Sequence, residues 1–387
     1  MKRSSVGVLF LTVVIDLLGF GIVLPLLPRY ADEYNASKPA IGLLFASFSA
    51  MQFLFAPIWG RLSDRHGRRP LIMLGLAGSV ASYVLFAFAD SFALLLISRI
   101  AAGIFGATIG TAQAYIADVT GHEDRGKEMA LIGAAFGVGF TIGPSIGGLA
   151  HHYGGVMAPG FVAAGLSLCA LLMAWRALPE PERHIPPKQR KLFDYAALRH
   201  ALTLRTIPTI LFLQVVATFC FANFEATLAL LTKVRWDYDI RGNGFIFTYV
   251  GFWLMICQGV IVRRLLPRIG ESRMVVLGAL ILGLGLLAIA ATNAGALVIL
   301  PIATLGFSLL SPSLSSMLSL RTPADMQGEI LGLGQSGLAL ARILGPVIGL
   351  ALFAVTPETP YWISAAIMGV ALLASFSLLR TPAQEPI

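Results

Sequence analysis

Charged residues are scarce in this chain. Asp, Glu, Lys and Arg make up only 12% of its 387 residues, whereas a soluble domain normally carries about 25%. Hydrophobic residues make up 57%, and the mean hydropathy is +0.80. Because about 20 apolar residues span a bilayer, twelve spans with short turns would use nearly all of this length. The composition predicts a membrane protein and leaves no room for a separate soluble catalytic or nucleotide-binding domain.

Motifs for catalysis, metal binding and nucleotide binding are also missing. The six histidines lie outside the apolar runs, which disfavours a metal site and an intramembrane enzyme. No Gly-x-x-x-x-Gly-Lys-Ser/Thr loop occurs, so ATP is not expected as the energy source. The three cysteines fall within apolar runs and are interpreted as small apolar fillers. We therefore expect no enzyme activity, no cofactor and no metal.

Apolar runs recur along the chain in two groups of six. They lie at about 6–30, 38–60, 70–90, 92–118, 126–150 and 157–178, then at about 206–232, 241–265, 273–292, 295–320, 327–354 and 359–380. A basic, proline-containing stretch separates the groups. This order predicts an all-α integral membrane fold of two repeated halves. The predicted parts are an N-terminal bundle (1–178), a basic cytoplasmic linker (179–205) and a C-terminal bundle (206–387).

The positions of the cations predict the topology. Most of the 28 Lys and Arg residues lie at the termini or in every second loop, five lie in the alternate loops, and Arg99 and Arg342 lie inside runs. This asymmetry is typical of the positive-inside rule and predicts cytoplasmic termini in a cell membrane. The net charge of +8 is therefore not interpreted as a nucleic-acid-binding groove.

The stretch Gly60–Pro70, between the second and third runs, concentrates arginines beside a single acid, Asp64. One interpretation is a positive-inside anchor and nothing more. The other starts from Asp118, which closes the fourth run at the same predicted surface and is expected to pair with Arg68 or another arginine of the stretch. Such an ion pair would act as a latch that forms in one conformation and breaks in another.

Four ionisable residues lie inside runs: Asp16, Arg99, Glu225 and Arg342. Charges at membrane depth are costly, so each is a candidate for function. Asp16 suits proton uptake, with a structural hydrogen bond as the alternative. Glu225 suits a cavity role, with an ion pair as the alternative. Because arginine does not lose its proton in an ordinary pH range, Arg99 and Arg342 are expected to hold a carboxylate ionised or to receive an anionic group of a substrate.

Uncharged polar and aromatic residues of the runs complete a predicted substrate cavity, for which lipid contact and packing are the alternatives. With Glu225 and Arg342, its predicted members are Phe20, Gln52, Gln113, Phe136, Phe219, Asn223, Phe224, Tyr249, Trp253, Gln258 and Gln335. The fifth run carries glycines at spacings of four, which predict close helix packing. Proline within the same run predicts a bend. These residues are Gly139, Gly143, Pro144, Gly147 and Gly148.

Four motifs carry a family resemblance. They are the ordered string Gly-x-Leu-Ser-Asp-Arg-x-Gly-Arg-Arg in Gly60–Pro70, Arg99 with Gly103, the string from Gly139 to Gly148, and Asp16 to Pro28. On these motifs the chain resembles the twelve-span drug/proton antiporters of the major facilitator superfamily, in particular tetracycline efflux proteins. The resemblance implies two six-helix bundles that alternate between inward-open and outward-open states around a central cavity. It also implies a gating latch of Asp64, Arg65, Arg68, Arg69 and Asp118.

By the same resemblance, the string from Gly139 to Gly148 is an antiport signature and Arg99 serves proton coupling. From their own positions, Asp16 and Glu225 are the residues whose protonation is expected to exchange with substrate, although Glu225 has no counterpart in the tetracycline pattern. Tetracycline exporters carry an acidic residue in span nine, and this chain has none over 273–292. That difference argues against tetracycline itself as the substrate.

The function predicted from the sequence is secondary active transport, namely proton-coupled export of a small amphipathic compound. The energy source is a proton gradient, the partners are protons, a small-molecule substrate and the lipid bilayer, and one chain suffices as a monomer. The alternatives are a metabolite, lipid or siderophore carrier, a uniporter, and a non-transporting membrane sensor or binding protein.

Overall fold

The structure is a computed structural model that describes residues 2–106, 109–119, 125–181, 206–292, 295–322 and 327–379. All regular secondary structure in these ranges is helical. The helices are α1 (Lys2–Val23), α2 (Leu27–Glu33), α3 (Lys38–His66), α4 (Arg68–Ala87), α5 (Phe92–Gly106), α6 (Ile109–Val119), α7 (Arg125–Gly154), α8 (Ala158–Ala177), α9 (Ile207–Trp236), α10 (Ile240–Ile256), α11 (Arg263–Ile269), α12 (Glu271–Ala291), α13 (Ala296–Arg321), α14 (Gln327–Phe353) and α15 (Thr359–Ser375). A π-helix, Cys257–Val262, joins α10 to α11, and 3-10 turns follow α1 and α15.

The helices coincide with the predicted apolar runs. Within the described ranges, ten segments are long and apolar enough to cross a membrane, and each overlaps one run to within a few residues. The other two runs coincide with α5 plus α6 and with α7. The all-helical membrane fold is therefore confirmed, and the count of twelve spans stays a prediction. Nearly all of the predicted linker lies outside the described residues.

Contacts divide the chain into two compact units. Unit 1 comprises Met1–Ser37, Leu43–Arg190 and Tyr238–Gly251, and unit 2 comprises Lys38–Gly42, Lys191–Asp237 and Phe252–Ile387. Helices α3 and α10 thus contribute residues to both units. The predicted division at 178 and 206 stays a prediction.

Each unit repeats the same internal packing. In unit 1, α1 packs on α7 and α8, and α4 packs on α5 and α8. In unit 2, α9 packs on α14 and α15, and α12 packs on α13 and α15. Helix α1 of unit 1 therefore corresponds to α9 of unit 2. The two units therefore repeat one packing arrangement, as the two groups of six apolar runs predicted.

Glycines bring α1 and α7 into backbone contact. A Cβ added to Gly21 would lie 2.3 Å from the Gly139 carbonyl oxygen, and one added to Gly143 would lie 2.8 Å from the Gly21 Cα. A Cβ on Gly147 would lie 2.4 Å from the Ile22 carbonyl oxygen. Because real Cβ atoms do not approach backbone atoms so closely, only glycine fits at these positions. The predicted close packing is present, and a role of these glycines in antiport stays a prediction.

We expect Gly147→Ala to lower the stability of the protein and Gly137→Ala to leave it unchanged or raise it. The first adds a methyl group against backbone, and overpacking of this kind costs about 1–3 kcal/mol. The second adds a methyl group on the same helix where nothing lies within 4 Å, and Ala is the better helix former by about 0.5–1 kcal/mol. Thermal unfolding of both purified variants in detergent measures the difference. Equal melting temperatures would contradict the backbone contact.

Candidate functional site

Asp16 lies on α1 and is partly exposed. Its Oδ1 accepts a hydrogen bond from Ser167 Oγ on α8 at 3.5 Å, and the side chain of Ser79 on α4 also acts on its carboxylate. It lines a cavity of about 20 Å³ together with Thr12 and Ile72, which is room for about one water molecule. Hydroxyl groups and water can donate hydrogen bonds to an ionised carboxylate and accept one from a protonated carboxyl group. The surroundings are therefore compatible with proton uptake and with a structural hydrogen bond.

Arg99 on α5 is held by aromatic rings. Its guanidinium carbon lies 4.5 Å from the ring centroid of Phe48 and 5.8 Å from that of Phe20, and the side chain is only 2% exposed. Among the described residues, Arg99 forms no ion pair with Asp16. Cation–π contact compensates the buried guanidinium, and the two roles predicted for Arg99, holding a carboxylate ionised or receiving an anionic substrate group, stay predictions.

Tyr83 on α4 is buried and lies within electrostatic range of both Asp16 and Arg99. A Cβ added to Gly19, three residues after Asp16 on α1, would lie 2.9 Å from the Tyr83 ring, so this glycine makes room for the ring. The sequence analysis missed Tyr83 because a tyrosine in an apolar run is commonly a packing residue. The glycine one turn after the acid was the available signal.

Glu225 and Arg342 are the two charged residues of unit 2 that the sequence places inside apolar runs. Glu225 on α9 is partly exposed, and Arg342 on α14 is exposed. The two interact electrostatically, but no direct ion pair joins them in the part of the chain that the structure describes. Phe221, one turn before Glu225, stacks on Phe307 of α13 with ring centroids 3.9 Å apart and an interplanar angle of 8°.

Asn223 lies on a different face of α9 from Glu225, because two residues correspond to about 200° of rotation. Its Nδ2 donates a hydrogen bond to Ser364 Oγ on α15 at 2.9 Å. Its Oδ1 packs closely against Gly349, because a Cβ added to that glycine would lie 2.1 Å from this oxygen. The side chain is only 1% exposed. These contacts favour a packing role for Asn223, and its predicted substrate contact has no support in this arrangement.

The other predicted cavity residues occupy varied surroundings. Gln52 Nε2 donates to the Gly106 carbonyl oxygen at 3.2 Å. Phe224 is buried, whereas Phe219, Tyr249 and Trp253 are partly buried and Gln258 and Gln335 are exposed. The side chains of Gln113 and Phe136 lie outside the described residues.

The arginine-rich stretch forms a tight turn between helices. Helix α3 continues to His66 and α4 begins at Arg68, so Gly67 alone separates them. Its φ of +115° favours glycine, because that region of backbone conformation is strained for other residues. The stretch Gly60–Pro70, which separates two apolar runs in the sequence, is therefore almost entirely helical, and a single glycine is sufficient for the reversal.

The predicted contact between Asp118 and an arginine is present. Arg68 Nε lies 2.9 Å from Asp118 Oδ2, and Arg68 Nη1 donates to Ser63 Oγ at 2.6 Å. Arg69 donates from its side chain to the Trp175 carbonyl oxygen. Arg65 is exposed. The side chain of Asp64 lies outside the described residues, and a gating role for this group stays a prediction.

Glu180 is a further member of the turn that the sequence analysis missed. Its carboxylate accepts hydrogen bonds from the backbone N–H groups of Arg68 at 2.7 Å and Arg69 at 2.9 Å. These are free donors at the start of α4, where an anion is also favoured by the helix dipole. The residue follows α8 in the sequence Pro-Glu-Pro, inside the predicted linker. An acid between prolines directly after a span was the available signal.

We expect Glu180→Gln to speed amide hydrogen exchange at residues 68 and 69. The variant replaces an ionised acceptor with a neutral one, and a hydrogen bond to a charged group contributes about 1.5–3 kcal/mol when shielded and less at an exposed site. Exchange measured by mass spectrometry on the purified protein should rise severalfold in this segment. Glu33→Gln, which removes an exposed carboxylate elsewhere in unit 1, is the control. Unchanged exchange in Glu180→Gln would contradict a capping role.

Comparison with known proteins identifies the family. The family model described as Major Facilitator Superfamily matches residues 9–346 and 210–387. Tetracycline resistance protein, class D, of Salmonella ordonez is 31% identical over 99% of this chain and 98% of its own length. Multidrug resistance protein 2 of Bacillus subtilis (strain 168) is 28% identical over 96% of this chain and 94% of its own length. The crystal structure of the human organic anion transporter MFSD10 (TETRAN) has a TM-score of 0.73 at 26% identity and covers 97% of this chain and 99% of that chain. The chain is therefore a multi-pass membrane transporter of the major facilitator superfamily.

Proposed function

We propose that this protein is a proton-coupled exporter of a small amphipathic, drug-like compound that works as a single chain by alternating access. The names of the tetracycline and multidrug resistance relatives support a drug-like substrate. The observation that carries proton coupling is the presence of one partly exposed carboxylate on the first helix of each unit. These are Asp16 on α1 and Glu225 on α9.

In the proposed exchange, Asp16, Glu225 or both take up a proton when substrate leaves and release it on the other side of the membrane. Ser79, Ser167 and the adjacent cavity supply the hydroxyl groups and the room for water that a proton needs to reach Asp16. Arg99 keeps its charge throughout. Its fixed positive charge, held against the rings of Phe20 and Phe48, is proposed to contribute to coupling.

The ion pair between Arg68 and Asp118 is proposed as the latch of one conformation. The two side chains are 13% and 28% exposed, so the pair is partly shielded from water and contributes more than a fully exposed pair. Glu180 fixes the backbone of the same turn from the end of α8. Together these contacts would bias a two-state equilibrium by about 1–3 kcal/mol.

A carrier of organic anions is the second candidate. It is favoured by Arg99 and Arg342, which lie in apolar helices and form no ion pair among the described residues. The structural relative MFSD10 is itself named as an organic anion transporter. Carriers of metabolites, lipids or siderophores, uniporters and a non-transporting sensor remain alternatives that the following experiment separates.

In proteoliposomes, an imposed pH gradient should drive uphill accumulation of a labelled substrate from a compound panel. We expect Asp16→Asn combined with Glu225→Gln to abolish uphill accumulation, because neither neutral side chain can carry the proton. Downhill movement should persist. Asp90→Asn, at an exposed carboxylate, is the matched control and should transport normally. Uphill flux that is unaltered in the double variant would disprove proton coupling through these residues.

A charge exchange tests the latch. Arg68→Asp and Asp118→Arg should each reduce transport severalfold, because each places two like charges at the turn in one conformation. The double variant restores opposite charges and should recover part of the rate in the same vesicle assay. A double variant no better than the worse single variant would mean that the ion pair does not govern gating.

A further inference from the structure

We propose that the turn around Gly270 in unit 2 binds the headgroup of an anionic phospholipid, with Arg268 and Arg273 as the ligands of its phosphate. The exposed leucines of α12 that follow Arg273 would contact the acyl chains. The site uses neither Glu225 nor Arg342 and does not depend on the proposed transport function. It assigns a partner to a basic surface that the positive-inside rule accounts for only as a signal of orientation.

The turn around Gly270 corresponds to the turn around Gly67 in unit 1. Helix α11 ends at Ile269 and α12 begins at Glu271, so a single glycine again separates two helices. The φ of Gly270 is +78°, and that of Gly67 is +115°. Helix α12 packs on α13 and α15 as α4 packs on α5 and α8. The two turns therefore occupy corresponding places in their units and can be compared.

The two turns differ in how their charges are compensated. In unit 1, the Asp118 carboxylate pairs with Arg68. In unit 2, the sequence of the stretch 263–273 contains one acid, Glu271. The carboxylate of Glu271 accepts a hydrogen bond from Ser316 Oγ at 3.2 Å and forms no ion pair with an arginine of that stretch in the described part of the unit.

The arginines of the stretch 263–273 are consequently available to an external anion. Each of the four is exposed, and none forms an ion pair or a side-chain hydrogen bond with a residue that the structure describes. They are Arg263, Arg264, Arg268 and Arg273. Arg268 lies two residues before Gly270 and Arg273 three residues after it, so the reversal of the chain brings both to one end of the helix pair. Four cations against one acid leave an excess of positive charge at this end.

The exposed face of α12 indicates that the anion belongs to a lipid. Its exposed residues recur at steps of three and four, which follow one face of a helix. They are Arg273, Leu277, Leu280, Leu284, Leu287 and Ala291. The helix has 21 residues, about 30 Å, which matches the hydrocarbon core of a bilayer. Arg273 in its first turn therefore lies at headgroup level, directly above a stripe of leucines that faces the acyl chains.

Charge selects an anionic lipid over a zwitterionic one. The turn lies on the side of the membrane that the distribution of Lys and Arg predicts to be cytoplasmic, and the cytoplasmic leaflet carries anionic lipids. Arginine binds phosphate oxygens through two parallel hydrogen bonds. The choline group of a zwitterionic lipid would bring a second cation to a surface that already has an excess of positive charge. A phosphate without acyl chains would gain nothing from the leucine stripe.

Lipid binding by the purified full chain in detergent, measured by native mass spectrometry, tests the proposal. The probes are dioleoyl phosphatidylglycerol and dioleoyl phosphatidylcholine, which have the same acyl chains and differ in headgroup charge. We expect saturable, preferential binding of phosphatidylglycerol. Arg268→Gln combined with Arg273→Gln should lower the affinity for phosphatidylglycerol about 25-fold, which is about fivefold for each arginine near the surface. The affinity for phosphatidylcholine should not change.

Two further double variants serve as controls. Arg61→Gln combined with Arg176→Gln removes two exposed arginines of unit 1 and the same amount of charge, and it should keep the preference for phosphatidylglycerol. Arg268→Lys combined with Arg273→Lys keeps the charges and should retain part of the preference, which separates loss of a phosphate ligand from misfolding.

Three results would overturn the site. An unchanged preference in the glutamine variant of the turn would place the bound lipid elsewhere. An equal loss in both glutamine variants would mean that binding follows total charge and not this turn. Displacement of phosphatidylglycerol by inorganic phosphate at the same concentration would mean that the site takes the free anion. Each result is independent of transport in the vesicle assay, so failure of this proposal and failure of the proposed exporter are distinguishable.

Discussion

A charge inside a membrane protein must be compensated where water is scarce, and this constraint underlies the arrangement of the whole candidate site. The structure meets it in three ways. Asp16 has serine hydroxyl groups and a water-sized cavity, and Arg99 has two aromatic faces. Glu225 and Arg342 lie within electrostatic range of each other. Asp16 can gain a proton without leaving a paired cation uncompensated, whereas Glu225 shares its surroundings with Arg342.

Small residues set the distances on which this compensation depends. Gly19 leaves the space that Tyr83 fills between Asp16 and Arg99. In unit 2, Gly345 lets α14 approach the backbone of α9, since an added Cβ would lie 2.8 Å from the Phe219 carbonyl oxygen. That approach brings the helix of Arg342 close to the helix of Glu225. Glycine therefore does more here than permit tight packing, because it fixes which charged groups can act on one another.

The sequence was sufficient for the helices and for the pair between Arg68 and Asp118. Runs of about 20 apolar residues have few alternatives to a membrane span, and a lone acid at the end of one span faces arginines at the end of another. The rotation of each helix about its axis was not predictable in the same way. Asn223 and Glu225 are equally polar in the sequence, yet one bonds to Ser364 and the other lies beside Arg342.

Contacts between distant segments were the other limit. Glu180 caps α4 from more than a hundred positions further along the chain, and no local pattern specifies which helix end a carboxylate will reach. Tyr83 is a related case, because Gly19 signals a close neighbour on another helix but not which residue it is. Its interaction with Asp16 and Arg99 requires the packing of α1, α4 and α5, which is decided by side-chain volumes at several contacts at once.

The repeat in the packing makes a comparison of the two carboxylates informative. Helices α1 and α9 occupy corresponding places, yet Asp16 has neutral partners and Glu225 has a cation. Protonation of Asp16 neutralises a carboxylate whose partners are serine hydroxyl groups. A proton on Glu225 leaves Arg342 without its counter-charge. The two carboxylates therefore differ in what their protonation does to a neighbouring group.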